Sequence, residues 1–387
     1  MKLVIVESPS KAKKIREMLG KEYRVAASMG HVRDLPAKGA RAVGFKDGKV
    51  TPTYEPLEKS ARAMSELSGL AKQAELVLLA TDPDREGEAI AWHLSELLGV
   101  HKYKRVVFHA VTKDAVRKAV ASPRDVDMRL VNAQQARRVL DRVVGWVVSP
   151  TLRKVGKEAK SAGRVQSAAL RVVADREREI GRFKNVDYLI LSAELEKPWA
   201  PPPFTARLVT WKGHPLGQRL RDAALAEKTV AWALDQDWRV LACDRRDSSR
   251  NAPPPFTTAT VQQAASVSLK LNPDATMKLL QALFDDGRIT YHRTDSTALA
   301  PEGLAAARKV IAKDFPAEYL PKSPVLHATK SVNAQEAHEA IRPTHPETGA
   351  GALGEGEQGK LYRLIWQRFV ACQMAPARDQ ITVIDVA

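Results

Sequence analysis

Cysteine is nearly missing from this chain: its 387 residues include two, Cys243 and Cys372, far apart in sequence. Such a pair supplies neither a zinc-ligand set nor a disulfide framework, and a reducing cytosol suits it best. Long apolar runs are missing as well. The N-terminal run from Leu3 to Val6 stops at Glu7. That is too short for a signal-peptide core or a membrane span, and it reads as a buried strand. The phosphate-cradling pattern G-x-x-x-x-G-K-[ST] is also absent; the nearest stretch, GFKDGKV at 44–50, has the wrong spacing. Nucleotide-driven chemistry has no support, so neither a nucleotide cofactor nor a membrane partner is expected.

What the chain does have is positive charge. Lys and Arg total 61 against 45 Asp and Glu, a formal charge of +16 with a pI near 9.8. A polyanionic partner is the leading expectation, although composition alone does not separate DNA, RNA and acidic membrane. The length suits roughly two to three domains with real cores.

Residues 1–122 alternate short apolar runs (LVIV, then LVLLA at 76–80) with helix-like KAKKIREMLG and REGEAIAWHLSELLG. That order predicts a small α/β domain with a largely parallel sheet. Residues 123–184 read as helical and very basic, a first helical DNA-facing layer. Residues 185–250 turn β-rich, with DYLILSAELE, TARLVTW and WRVLACDRR around a helix-like DAALAEKTVAWALDQ. The pentapeptide APPPF occurs at 200–204 and 252–256; one repeat without a longer period reads as chance. Its second copy does mark a boundary, with Thr257 or Thr258 able to cap the next helix. Residues 251–376 are again helical, apart from the glycine-rich loop at 349–360, and 377–387 begin a further strand.

Four constellations carry chemistry. TDPDREGEA at 81–89 follows an apolar run, so Asp82 and Asp84 are expected at a strand's carboxyl edge, where open α/β sheets bind ligands. Glu7, also at a strand end, would join them, with Glu86 completing a cluster of hard oxygen donors suited to Mg²⁺. The same acids also suit the first turn of a helix, and the block alone does not decide between the two. In DDGRITYHRTDST at 285–297, a helix exits into a short strand in which Tyr291 and Arg293 are two apart, hence on one face. A guanidinium there would favour a phenolate nucleophile and hold phosphate oxygens, whereas a tyrosine in a strand is ordinarily packing. In NAQEAHEAIRPT at 333–344, His338 and Arg342 would share a helical face, ended by Pro343, and reach one phosphate, whereas a surface histidine beside Glu336 and Glu339 is more often just solvated. The basic set Arg137, Arg138, Arg142, Lys154, Arg164 and Gln166 reads either as phosphate contacts or as solvated residues paired with acids such as Asp141.

Together these blocks resemble the type IA DNA topoisomerases, most closely the bacterial topoisomerase I branch. VIVESPSKAKKI, SMGHVRDLP, TDPDREGEAIAWHL, QQARRVLDRVVGW, SAGRVQSAALRVVADRERE, PPPFTTATVQQAAS, GRITYHRTDST and AQEAHEAIRPT stand in family order across the chain. The resemblance implies a multidomain core: a Toprim domain over 1–122, the first part of the helical DNA-binding layer over 123–184, the first part of a β-rich arch over 185–250, a helical domain carrying the active-site tyrosine over 251–376, and the start of a returning arch strand over 377–387. It implies ATP-independent relaxation of negatively supercoiled DNA through single-strand cleavage. Tyr291 would attack and hold the 5′-phosphate, Arg293 would stabilise the pentavalent phosphate, and Lys11 or Glu7 would protonate the leaving 3′-oxygen. Glu7, Asp82, Asp84 and Glu86 would take the metal-site roles with Mg²⁺. His31, Arg138, Arg142, Ser161, Gly163, Arg164, Gln166 and His338 match DNA-contacting positions. A monomer in the cytoplasm, nucleoid-associated through DNA, is implied.

Against the family pattern the chain stops as a returning strand begins, so an incomplete core is expected, its arch lacking partner strands and exposing a sheet edge. The acidic cluster by itself also fits a Toprim nuclease or primase, and the basic layer fits a fragment that binds single-stranded DNA without turnover.

Overall fold

The apolar runs of the first domain become strands of one parallel sheet, in the order Tyr23–Ala27, Lys2–Val6, Leu76–Leu79, Tyr103–Arg105. The computed structural model describes residues 1–38, 43–46, 48–99, 102–155, 160–196, 202–215, 219–327 and 339–387. Helices cover both faces of this sheet: α1 (Pro9–Met18), α2 (Ala61–Gln73), α3 (Arg85–Leu98) and α4 (Lys113–Ala121). Successive strand side chains therefore both find apolar partners. Leu3, Ile5, Val77 and Leu79 pack with Leu67 of α2 and Leu94 of α3, while Val4, Val6 and Leu78 pack with Ile15 of α1 and Val116 of α4. A strand buried on both faces is why LVIV reads as an unbroken apolar run.

From Lys2–Val6 the chain crosses one way to Tyr23–Ala27 and the other way to Leu76–Leu79. The carboxyl ends of Lys2–Val6 and Leu76–Leu79 thus flank a topological switch point. Two local signals fix the loops there. Ser8 caps α1 by accepting the Lys11 amide at 3.2 Å, with Pro9 opening the helix. Asp84 caps α3 through the Gly87 amide at 2.8 Å. A side chain at Gly87 would come within 2.1 Å of the Asp82 carbonyl oxygen, so this turn requires glycine.

The basic stretch forms α5 (Met128–Val143), a π-helical turn at Val144–Val148, α6 (Ser149–Val155) and α7 (Arg164–Arg182). After α8 (Ala223–Leu234) come α9 (Thr258–Leu269), capped by Thr257, then α10 (Pro273–Asp285), α11 (Pro301–Asp314) and α12 (Glu357–Ala371). Two compact units result: Met1–Gln166 with Asn251–Pro376, and Ser167–Arg250 with Ala377–Ala387. In the second unit the last strand is paired, and among the described residues the strands there form two-stranded sheets whose outer edges stay open. Ala377–Val386 pairs antiparallel along Val240–Arg250, with Asp244 opposite Val383 and Ser249 opposite Arg378, although Leu241 and Ile384 stay exposed. No helix among the described residues is long and apolar enough to cross a membrane.

The segment bearing Tyr291 is threaded through the first unit's core. Gly287 leaves α10 at φ 68°, where an added side chain would strike the Val111 carbonyl oxygen at 2.4 Å. Ile289 then bridges to Pro343 and Thr290 to Ala110, and the Tyr291 amide donates to the His109 carbonyl at 2.8 Å. His292 is fully buried beside Tyr291 and Phe284, and among the described residues neither of its ring nitrogens has a hydrogen-bond partner. Burial, then the charges of Arg293 and Lys11, lowers its pKa to about 3 against the opposing pull of Asp285 and Asp84.

Arg105 is the other buried polar anchor. It pairs with Glu88 at 2.9 Å and donates to the carbonyls of Leu79 and Thr81 at 2.9 and 3.0 Å and of Asp82 at 2.6 Å. A five-donor fork is needed for that set. The Arg105→Met variant is expected to lose about 3–5 kcal/mol of stability in urea unfolding, because Glu88 and the carbonyls of Leu79, Thr81, Asp82 and Val106 lose a buried partner. For His292 the folded pKa lies below the unfolded value of about 6.5. Its contribution is therefore complete above about pH 6.5 and is lost as pH falls, by about 1.4 kcal/mol per pH unit. Unfolding measured between pH 4 and 7 should show His292→Met with a pH slope shallower by close to one proton, and with higher stability at pH 7, since two unpaired nitrogens leave the core.

Candidate active site

The switch point gathers charge of both signs. Glu7 follows Lys2–Val6, and its Oε1 accepts the Asp82 amide at 3.0 Å. Lys11, on the first turn of α1, is buried, with its ammonium bonded to the Asp82 carboxylate and 3.3 Å from Asp285. The Phe284 ring lies under the same ammonium at 4.9 Å. Burial opposes the charge on Lys11, but Asp82, Asp285 and Glu7 outweigh it and raise its pKa. Glu7 is pushed up to about 7, first by burial and then by the Asp82 charge. Near neutral pH it therefore keeps a proton in part of the population.

Tyr291 meets this cluster from the other side. Its side chain is 1% exposed, its ring packs edge-on against Phe284 at 5.1 Å, and its hydroxyl donates to Asp84 Oδ2 at 2.5 Å. Arg293 approaches the same oxygen at 3.4 Å. Tyr291 and Arg293 thus converge on one carboxylate, although the backbone beyond Tyr291 bends rather than continuing as a strand. Burial, then Asp84 and Asp82, raises the phenol's pKa far above its ordinary value, and Arg293 pulls it down. Burial and the facing carboxylates thus favour the protonated phenol.

The four expected metal-site acids do not all meet. Glu7, Asp82 and Asp84 share the crevice, but Glu86 accepts a hydrogen bond from Gln134 of α5 at 3.0 Å. Among the described residues no three His, Cys, Asp or Glu side chains are grouped so as to hold a metal ion. Carboxylate oxygens are the donors a hard divalent cation takes; here they are engaged by the Asp82 amide, Lys11, the Gly87 amide, Tyr291 and Arg293.

The basic candidates divide. Arg138 forks onto Asp34, and Arg142 donates to the carbonyls of Pro36 and Leu35 at 3.2 and 3.3 Å. Arg164 pairs with Asp141 at 2.9 Å. His31, Arg137, Lys154, Ser161 and Gln166 are exposed, and Gly163 is half-buried beside them in the chain. His338 lies outside the described residues. Arg342 corrects its expectation. It is not on a helix but between the bridges at Ile341 and Pro343, and it is buried with its guanidinium forked onto Glu339 at 2.8 and 2.9 Å. Glu339 fills that fork in this structure.

Two residues of this site escape a sequence reading. Asp285 bears on Lys11 from a distant part of the chain, and His292 packs beside its neighbour Tyr291 in the buried interior. For Asp285 a signal exists: paired acids at a helix C-terminus oppose the macrodipole, so Asp285 and Asp286 need a reason to be there. For His292 there is none.

Comparison with known proteins follows the same division. A family model described as DNA topoisomerase matches residues 125–387, and one described as Toprim domain matches residues 2–111; the latter is a divalent-metal-binding domain. DNA topoisomerase 1 of Zymomonas mobilis is 44% identical over 402 residues, with 100% of this chain and 32% of the relative covered. DNA topoisomerase 1 of Escherichia coli is 42% identical over 417 residues, with 99% of this chain and 48% of the relative covered. Full-length topoisomerase I from Thermotoga maritima superposes with a TM-score of 0.81 at 37% identity, over 99% of this chain and 62% of that one. The chain therefore spans about a third to a half of the length of its curated relatives. A DNA topoisomerase match over most of the chain, with relatives of that name at 42–44% identity, defines its kinship: it belongs to the type IA DNA topoisomerases, in the bacterial topoisomerase I branch.

Proposed function

We propose that the chain cleaves single-stranded DNA, or the unpaired regions of negatively supercoiled DNA, through Tyr291, and that relaxation by strand passage and religation follows without a nucleotide. The observation that carries this reading is the Tyr291 hydroxyl 2.5 Å from Asp84 with Arg293 on the same carboxylate oxygen. That geometry supports a nucleophile, an acceptor for its proton and a cation for the developing phosphate charge in one place. DNA entry must first separate Tyr291 from its buried seat.

In the step itself the Tyr291 oxygen forms a bond to phosphorus as its proton passes to Asp84. The bond from phosphorus to the 3′-oxygen breaks. That oxygen takes a proton from Lys11 or from Glu7, whose pKa of about 7 keeps a transferable proton near neutral pH. Arg293 holds the non-bridging oxygens as negative charge collects on them. Religation reverses each transfer, so bond energy is conserved. The donor type of Glu7, Asp82 and Asp84 suits Mg²⁺, but among the described residues these acids are not grouped so as to hold a metal ion, and no step above is routed through one. Glu86, turned toward Gln134, stands outside that set. His31, Arg137, Arg138, Arg142, Lys154, Ser161, Gly163, Arg164 and Gln166 are proposed to track the DNA backbone, the arginines by exchanging Asp34 and Asp141 for phosphates. A monomer acting on DNA in the cytoplasm completes the reading.

The test is a labelled single-stranded oligonucleotide trapped on the chain with denaturant. The wild-type chain should form a covalent adduct and Tyr291→Phe none, while both bind the oligonucleotide with affinities within about twofold. Binding without any adduct would leave a non-catalytic DNA binder. Metal-dependent cutting that survives in Tyr291→Phe would instead identify a Toprim nuclease.

A further inference from the structure

Asp285 is poised to hold the tyrosine-bearing helices against the sheet edge. It ends α10, and its Oδ2 accepts the Ser8 hydroxyl at 2.8 Å while Oδ1 lies 3.3 Å from the Lys11 ammonium. Gln281, one turn back on α10, donates to Oδ1 at 3.0 Å and orients the carboxylate. Next to it, Asp286 accepts the Ser10 hydroxyl at 3.3 Å. Both acids thus reach the first turn of α1, which carries no acid of its own. A helix N-terminus favours such charge, and the C-terminus of α10 does not, so their electrostatic stabilisation comes from across the contact.

We propose that Asp285 is a positioning residue that keeps the site closed after the DNA strand has been cut. This rests on the cleavage reading above. Before cleavage the intact strand itself joins the part of the site holding its 3′ side to the part carrying Tyr291. Cleavage removes that link, and it also removes the hydrogen bond from Tyr291 to Asp84, because the phosphorylated phenol has no proton to donate. The Asp285 contact with Ser8 and the neighbouring Asp286 contact with Ser10 involve no group that takes part in the step and survive it. They then set how often the cut site opens and how soon the 3′-hydroxyl finds the phosphotyrosine again.

The experiment compares Asp285→Asn, Ser8→Ala and Asp285→Glu in the 387-residue chain. Adduct level at steady state and the rate of religation are read on the same oligonucleotide, and amide hydrogen exchange in the first turn of α1 is read in the free chain. In Asp285→Asn and Ser8→Ala the adduct should rise and religation should slow by roughly fivefold, with faster exchange in α1, and Asp285→Glu should restore both. Cleavage and religation falling together in Asp285→Asn, with Ser8→Ala unaffected, would show that Asp285 acts through Lys11 chemistry and would overturn the proposal. Unchanged adduct level and religation would overturn it as well. If the wild-type chain forms no adduct, the cleavage reading fails by itself. Exchange in α1 then decides for Asp285: about fivefold faster in Asp285→Asn supports its holding role, and unchanged exchange removes it.

Discussion

A buried ammonium must have anions around it, and Lys11 is such a group. Its partners come from two places: Asp82 from the loop at the sheet's carboxyl edge, and Asp285 from the end of α10. Removing either would leave charge stranded in the interior. Pairing Lys11 therefore does more than neutralise one side chain. It holds the end of α10 at the sheet edge, and α10 brings Phe284 and the turn at Gly287 that delivers Tyr291.

The same electrostatics act on Tyr291. The phenol of Tyr291 is surrounded by low-dielectric packing and faces Asp84 and Asp82, so losing its proton is strongly disfavoured. Arg293 is the counterweight, and a DNA phosphate brought to Arg293 would compete for the guanidinium that now leans on Asp84. For the proposed cleavage the tyrosine would have to leave its buried seat and Arg293 would have to turn from Asp84 to phosphate.

Behind the reacting groups stands a quieter anchor. Arg105 ties the carbonyls of Leu79, Thr81 and Asp82 to Glu88, and Glu88 in turn accepts Arg124 at 2.7 Å and the Asp127 amide at 2.6 Å. The loop carrying Asp82 is thus fixed from below by a guanidinium with no contact to any reacting group. It also joins the sheet to the start of α5, the helix that carries Arg138 and Arg142 toward its other end. A network this buried is rigid when fully satisfied. That rigidity lets Asp82 hold Lys11 in one position.

Much of the site was legible in the chain because its signals are local. Apolar runs ending in Glu7 and Asp82 mark strands that close at a sheet edge, Ser8 and Asp84 are caps, and Gly287 marks the end of α10, each set by a few neighbouring residues. The order of family blocks added Tyr291 and Arg293 as a pair. What the sequence could not settle depends on residues far apart in the chain. Asp285 matters because Ser8, 277 positions away, lies against it. Arg342 turned inward because Glu339 fills its fork, Glu86 turned toward Gln134, and the last strand found Val240–Arg250. Local conformation follows from periodicity, capping and backbone freedom, which the sequence carries by itself. Which buried charge faces which is decided only when packing removes water and every polar group must find its partner among whatever the tertiary structure has brought near.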